Sequence, residues 1–442
     1  MGVLLQAFYW DAPSIEDKEA RWWQHLAAQM ADLAADGFTA LWLPPVSKAA
    51  NWRSMGYDPY DYFDLGEFDQ KGRAETWFGS KADLGALIQS AHDHHLQVYA
   101  DIVINHNSGA DAVEVNPIDG IGRWTKFTPG SGRFARDWTS FHPSSFETMD
   151  GFGTFGGMPD LCHRNPSVYA AMMDFTRWLI EELDFDGFRF DFVKGYGPWL
   201  VTGIAEYRYL KHNQPVKPFC VGECWDSDRT IDDWLQAANS FSDNPVSAFD
   251  FPLHYRLKQL CDGYGFDLRN LTAGTVVESY PDRAVTFVDN HDTVRDAGNA
   301  VINDKILAYA VVLTHEGYPS VFWQDYFGCG LAQRGTPNGI AALVQVHERY
   351  AGGNTAVLYV DRDLYIMQRT GFGAQPGLIF VLNNRGDGWA GQSVVSQWRS
   401  ARLQPMAWYG ADRARPDDKW TDSDGRVDVW AAPRGYAVYV AA

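Results

Sequence analysis

Three carboxylates stand at the ends of short apolar runs. Asp191 follows Gly187–Phe190, Glu223 closes Phe219–Glu223, and Asp292 follows Val285–Asp289. A lone acid in such a place is usually a helix cap or a surface charge. Three of them, with His106, Arg189 and His291 nearby, ask for another reason, because crowded acids lower stability and persist where they do work. Arg189 and Asp191 are two apart on an extended run and so face the same side. A guanidinium beside a carboxylate holds it ionised, which suits Asp191 to act as a nucleophile. Glu223 has no cation near it in sequence and sits beside Trp225. Burial and like charge would both raise its pKa, as a general acid requires. A carboxylate pair with these opposed demands is the apparatus of glycoside hydrolysis. His106 and His291 are expected to donate hydrogen bonds to sugar hydroxyls.

The elements that must position these groups follow from the pattern along the chain. Strand-like runs occur at Leu4–Tyr9, Ala40–Leu43, Val98–Ile104, Gly187–Phe190, Phe219–Glu223, Ala248–Phe251, Val285–Asp289 and Ser320–Trp323. Amphipathic helical patterns fall between most of them, at Glu19–Ala35, Lys81–His94, Ser167–Leu183, Thr230–Ser240, Arg256–Tyr264 and Asp304–Thr314. Strand–helix alternation predicts a parallel sheet. Eight such units predict an α/β fold of the (β/α)8 TIM-barrel type, with the site at the C-terminal ends of the strands. The Gly-rich phosphate turn of an open doubly wound sheet is missing after the first strand.

Two stretches break the alternation. The segment 107–157, after the third strand, is rich in Gly, Pro, Ser and Asp and reads as an inserted, loop-rich domain. After a helix at Ile340–Tyr350 the pattern turns to short alternating strands, from Ala356–Val360 to Tyr436–Val440. The expected division is therefore a barrel of residues 1–106 and 158–351, the insertion 107–157, and a C-terminal antiparallel β domain of residues 352–442. Trp22 and Trp23 are expected to pack the first helix onto the barrel.

Composition narrows the function. The formal charge of −19 disfavours nucleic acid, whose phosphates want a basic footprint. No apolar run is long enough for a membrane helix. Five scattered cysteines do not make a disulfide scaffold. Met1-Gly2 leads straight into the first apolar run, so no signal peptide is expected. An acidic chain with 15% aromatic residues suits a neutral polyhydroxylated ligand or a cation.

The segments Asp101–His106, Gly187–Tyr196, Val221–Trp225 and Phe287–Asp292, with Met158–Leu161 as a fifth, resemble the signature of the α-amylases of glycoside hydrolase family 13. The resemblance covers roughly residues 3–350. Lys194-Gly195-Tyr196 and the run Gly153–Gly157 look most like plant, archaeal and maltooligosaccharide-forming bacterial members. It implies a retaining mechanism with Asp191 as nucleophile, Glu223 as acid/base and Asp292 as the group that holds the distorted sugar. Tyr57, in Gly56-Tyr57-Asp58-Pro59, would stack under that sugar. His106, Arg189 and His291 would line the same subsite, and Lys194 and Trp225 the leaving-group side.

The resemblance also implies a structural Ca2+, held by Asn105, Asp160 and the Gly195 carbonyl, with Asp150 and the Gly153 carbonyl completing the shell. Where many members carry an acid, Cys162 stands here, a poor calcium ligand. His142, Cys162 and His163 are candidates for a second ion such as Zn2+, against the simpler reading of a buried free cysteine. The implied activity is endo-hydrolysis of α-1,4-glucosidic bonds in starch, amylose and maltooligosaccharides by a monomer. An exo-acting maltooligosaccharide-forming enzyme, a 4-α-glucanotransferase and a non-catalytic glucan-binding protein are the alternatives. Secretion is expected because starch is too large to import, with a cytoplasmic location as the alternative.

Overall fold

Eight apolar runs become the staves of a closed parallel barrel in this computed structural model, which describes residues 2–12, 21–412 and 414–442. They are β1 (Leu4–Gln6), β2 (Ala40–Leu43), β3 (Gln97–Ile102), β4 (Gly187–Phe190), β5 (Phe219–Gly222), β6 (Ser247–Phe249), β7 (Ala284–Phe287) and β8 (Tyr318–Phe322). Their order around the barrel is their order in the chain. Every residue of β2, β4 and β7 is buried. Strands covered on both faces read as continuous apolar runs, which is why they stood out in the sequence.

All eight expected strands are present, with ends shifted by a few residues. Phe251 moves out of the sixth strand into a helix, Phe251–Asp262, that begins earlier than expected. Asp250 caps it by accepting from Leu253 N, and Pro252 sits in the first turn, where its missing N–H is harmless. The expected helix Glu19–Ala35 is two helices, Trp22–Ala27 and Met30–Asp36. Its residues Glu19 and Ala20 lie outside the described residues. Between the two, Gln29 N closes a tight turn on Leu26 O at 2.8 Å. Trp22 and Trp23 are buried, with Trp23 against Phe78, as packing residues should be.

The chain forms two compact units. One comprises Trp10–Asp32 and Ala40–Phe249. It contains the segment 107–157, whose regular structure is an antiparallel hairpin of Ala112–Val115 with Gly122–Lys126 and a 3-10 turn at Trp138–Ser140. A second hairpin, Tyr209–Lys211 with Gln214–Val216, was not expected.

The other unit comprises Met1–Tyr9, Leu33–Thr39 and Asp250–Ala442. Beyond the helix Ile340–Tyr350 it carries β9 (Thr355–Val360), β10 (Leu364–Arg369), β11 (Leu378–Asn383), β12 (Ala390–Val395), β13 (Arg402–Tyr409), β14 (Lys419–Trp420), β15 (Arg426–Ala431) and β16 (Gly435–Ala441). Six form one antiparallel sheet in the order β9-β10-β11-β16-β13-β14, and β12 pairs with β15. Ile366, Ile379, Val381, Val394, Leu403, Val429 and Tyr439 share one apolar core between them. Arg434 pins this sheet to the unit's helices, reaching Asp304 at 2.7 Å and the carbonyls of Leu260 and Cys261 at 2.6 and 2.8 Å. Among the described residues no helix is long and apolar enough to cross a membrane.

Candidate active site

β3, β4 and β5 are adjacent staves. Their register sets Asp101 beside Arg189, and Arg189 beside Val221. The ladder continues past the strand ends. Asp191 N donates to Ile102 O at 3.0 Å, and Glu223 N to Phe190 O at 2.9 Å. The backbone therefore holds Asp191 and Glu223 at the C-terminal ends of neighbouring strands, where barrel enzymes build their sites.

Arg189 is 1% exposed, and its guanidinium serves three carboxylates. Nη1 donates to Asp101 Oδ1 at 2.8 Å and to Asp191 Oδ1 at 2.7 Å. Nη2 lies 3.1 Å from Glu223 Oε1. Asp101 Oδ2 accepts in addition from Tyr57 Oη at 2.8 Å and Trp42 Nε1 at 3.0 Å. Burial pushes the Asp101 carboxyl up to about 7, against the pull of Arg189. Burial would lower Arg189, but Asp101, Glu223 and Asp191 outweigh it and raise the guanidinium well above its ordinary value.

Two points differ from the sequence reading. Glu223 is not without a cation, because the neighbouring strand delivers Arg189 to it. Asp101, which the sequence marks only as the start of a motif, joins the cluster through Arg189, Tyr57 and Trp42. Register between strands decides both, and sequence adjacency does not show register.

Local backbone strain also aims at Glu223. Phe192 adopts φ +46° and ψ +50°, a left-handed conformation. Such a conformation costs a non-glycine residue on the order of 1–3 kcal/mol. It turns the Phe192 N–H onto Glu223 Oε2 at 3.0 Å.

The other expected residues of this unit fall around the cluster. The Tyr57 ring stacks on Trp10 with centroids 5.9 Å apart and planes 18° from parallel. His106 Nε2 bonds the Tyr57 carbonyl at 2.9 Å, and its Nδ1 lies 3.3 Å from Asn105 Nδ2. Both ring nitrogens thus face protein groups, so His106 positions Tyr57 in this state. Lys194 Nζ donates to the Trp225 carbonyl at 2.7 Å and pairs with Asp226 at 3.1 Å, which brings Lys194 and Trp225 together.

The third acid belongs to the second unit. Asp292 follows β7, and its N–H donates to Asn290 Oδ1 at 2.9 Å. Its carboxylate is partly exposed, 3.3 Å from His291 Nε2, and accepts from Arg295 Nη1 at 3.2 Å. His291 is fully buried, with Nδ1 2.9 Å from Gln6 Nε2 and its ring against Phe8.

A second cluster lies where the insertion leaves and rejoins the barrel. Asn107 N donates to Pro159 O at 3.0 Å and Leu161 N to Asn105 O at 2.9 Å. His106 and Asp160 form an antiparallel bridge, so the departing and returning chains are stitched together. Asn105 Oδ1, Asp160 Oδ1 and both oxygens of Asp150 are buried without a hydrogen-bond partner. Asp150, Asp160 and His142 lie close enough to share one ion. Asn105 Oδ1 packs so closely on Gly195 that a side chain there would collide with it. Buried oxygens left without donors are what a hard cation requires. Burial, helped by the charge of Asp160, pushes Asp150 up to about 6. Gly153 lies in the same segment with φ +78°.

The softer set is His142, Glu147 and Cys162. Burial works against a charged His142, but hydrogen bonds to Asp160 and Cys162 hold it up at about 10. His163 is outside both clusters. Its Nε2 bonds the Ile104 carbonyl at 2.8 Å, and burial lowers it to about 4. Glu147, which the sequence did not single out, stands in its place.

Comparison with known proteins gives the family and the fold. Residues 23–329 match the family model described as the alpha amylase catalytic domain. The chain is 31% identical to an alpha-amylase of Bacillus licheniformis, over 99% of this chain and 93% of that protein. It is 32% identical to a glucan 1,4-alpha-maltohexaosidase of Bacillus sp. (strain 707), over 88% of this chain and 83% of that protein. The fold resembles the crystal structure of an alpha-amylase from Geobacillus thermoleovorans complexed with acarbose. The TM-score is 0.71 at 21% identity, covering 100% of this chain and 98% of the other.

Proposed function

Because the chain belongs to the α-amylase family, we propose that it is a retaining glycoside hydrolase that cuts internal α-1,4-glucosidic bonds in starch and related glucans. The observation that carries this reading is the single guanidinium shared by Asp191 and Glu223. It gathers the two acids on one cation, and the retaining outcome follows the family resemblance, with one acid as nucleophile and the other as acid/base.

Asp191 accepts a charge-assisted hydrogen bond from Arg189 Nη1 at 2.7 Å and is the nucleophile. It attacks the anomeric carbon while Glu223 passes its proton to the departing glycosidic oxygen, giving a covalent glycosyl-enzyme. Glu223 then takes a proton from water, whose oxygen displaces Asp191 from the sugar. Asp292 holds the 2- and 3-hydroxyls as positive charge develops on the ring, with His291 beside it. Tyr57 is the stacking surface under the same sugar, steadied by Asp101 and His106. Lys194 and Trp225 bind on the leaving-group side.

A time course of products from soluble starch tests the reading. Rapid viscosity loss with mixed oligomers is expected. A single dominant product from the start would replace it with exo action, the second reading, which the likeness to a maltohexaosidase favours. Products longer than the substrate would mean transfer. A non-catalytic glucan binder should lack an acid, and all three are present.

The oxygen-rich cluster fits Ca2+, held by Asn105, Asp150, Asp160 and the Gly195 carbonyl, with Gly153 as the fifth donor. Such an ion supplies structural charge at the root of the insertion. The His142, Glu147 and Cys162 set fits a softer second ion such as Zn2+. An ion bound only by the folded chain stabilises it by about 2.7 kcal/mol at 100 times its dissociation constant. Calcium is therefore expected to raise the melting temperature of chelator-treated protein by several degrees, and Asp160→Ala to remove that response. No calcium response in the parent would count against the ion.

The division into a barrel, the insertion 107–157 and the C-terminal domain 352–442 remains our proposal, as does a monomer. The size of starch argues for a secreted enzyme.

A further inference from the structure

The unit that carries Asp292 also holds a buried charge network to which the reaction gives no role. Lys305 opens the helix Lys305–Val312, which lies between β7 and β8 in the chain. Its Nζ lies 2.8 Å from Asp289 Oδ2 and donates to Asp325 Oδ1 at 2.5 Å. Asp289 follows β7, Asp325 follows β8, and both are buried. Tyr309 Oη, one turn along the helix, donates to Asp325 Oδ2 at 2.7 Å. Burial would lower Lys305, but Asp325 and Asp289 outweigh it and keep the ammonium charged. One cation thus ties together the C-terminal ends of two neighbouring strands, on the face where barrel enzymes work. Stability alone does not explain a buried ion triad, because apolar residues of like volume often serve as well.

The network reaches the third acid through one hydroxyl. Thr293, fully buried, donates from Oγ1 to Asp289 Oδ1 at 2.8 Å and accepts from Asn290 N at 2.9 Å. Asn290 Oδ1 in turn accepts from Asp292 N and Thr293 N, both at 2.9 Å. Val301 N lies 3.2 Å from Asp289 Oδ2 and donates to it. The turn 289–293 is therefore locked from within, and the pair of Lys305 with Asp289 anchors it. Arg295 is half exposed and can do little to hold the Asp292 carboxylate, so the backbone must aim it.

We propose that Lys305, acting through Asp289 and Thr293, is a positioning residue for Asp292, fixing the turn that presents this carboxylate to the sugar. The proposal rests on the role given to Asp292 above.

The test compares the parent with Thr293→Val, Thr293→Ser and Lys305→Met. The substrates are maltoheptaose and α-maltosyl fluoride with and without the 2-hydroxyl of the reacting ring. Thr293→Val keeps the shape of the side chain and removes its hydroxyl. It is expected to lower kcat about tenfold to a hundredfold, the scale of a small misplacement of a catalytic group. KM should stay near the parent's, as when a contact made in the transition state is lost. Thr293→Ser, which restores the hydroxyl, should recover most of the activity. Without the 2-hydroxyl, Thr293→Val should cost less than with it, because the two losses share one contact. A merely structural role would slow both fluorides alike. Lys305→Met should follow Thr293→Val, and the two threonine variants decide the matter if it fails to fold. Hydrogen exchange across residues 289–295 should quicken in Thr293→Val and not in Thr293→Ser. Parent-like kcat and exchange in Thr293→Val overturn the proposal, as does an equal loss on both fluorides. A parent that hydrolyses no α-glucan would overturn the proposed activity instead, and the exchange rates would still judge whether the network holds the turn.

Discussion

Asp191→Asn is expected to lower kcat on starch by at least about 10⁴-fold, the scale seen when a covalent nucleophile is removed. The side chain keeps its shape, and its oxygen still accepts from Arg189 Nη1, the 2.7 Å bond of the parent. An amide oxygen is too weak a nucleophile to form the glycosyl-enzyme. The fold should survive, because Arg189 retains Asp101 and Glu223 as ionic partners. Circular dichroism should match the parent. Activity within tenfold of the parent would remove Asp191 from the mechanism.

Arg189→Leu should have the largest effect on stability. It leaves three buried acids around an apolar side chain, and loss of one partner of a buried ion pair typically costs about 3–5 kcal/mol. The measurement is the thermal melting temperature, expected to fall by several degrees at pH 7. The sign of its pH dependence is also fixed. Without the cation Asp101 loses the pull that offsets its burial, so its folded pKa rises above the parent's value of about 7 and the folded variant takes up a proton that the parent does not yet hold. The deficit should therefore shrink as the pH falls toward 7 from above. A variant as stable as the parent at pH 7 would show that Asp101, Asp191 and Glu223 do not depend on this guanidinium.

Much of the barrel was legible because its strands are buried on both faces and read as apolar runs. The missed strands lack that mark. β12 reads Ala-Gly-Gln-Ser-Val-Val, and β13 contains Pro405, which has no N–H to give a ladder. The structure accommodates it with a register shift between Pro405 and Ala407. The break in the first helix has no Gly or Pro to announce it. Strand-end position was enough to pick out Asp191, Glu223 and Asp292. It could not show which acids one arginine would reach, since Asp101 and Arg189 are 88 residues apart. Nor could it show that Glu147 rather than His163 would join His142 and Cys162, because that depends on how the insertion folds back.

The stitched root of the insertion has a consequence for how such enzymes can change. Asn105–Asn107 and Pro159–Leu161 meet across hydrogen bonds, so the segment between them leaves and returns at one place. A graft whose ends already touch can be lengthened at little entropic expense, about 0.6 kcal/mol for each doubling. The barrel beneath need not notice the exchange. What such a graft must preserve is the clasp, Asn105 and Asp160, with its unpaired oxygens turned inward. Sequence change is thus free to accumulate beyond the clasp, while the strand ends before it keep their places.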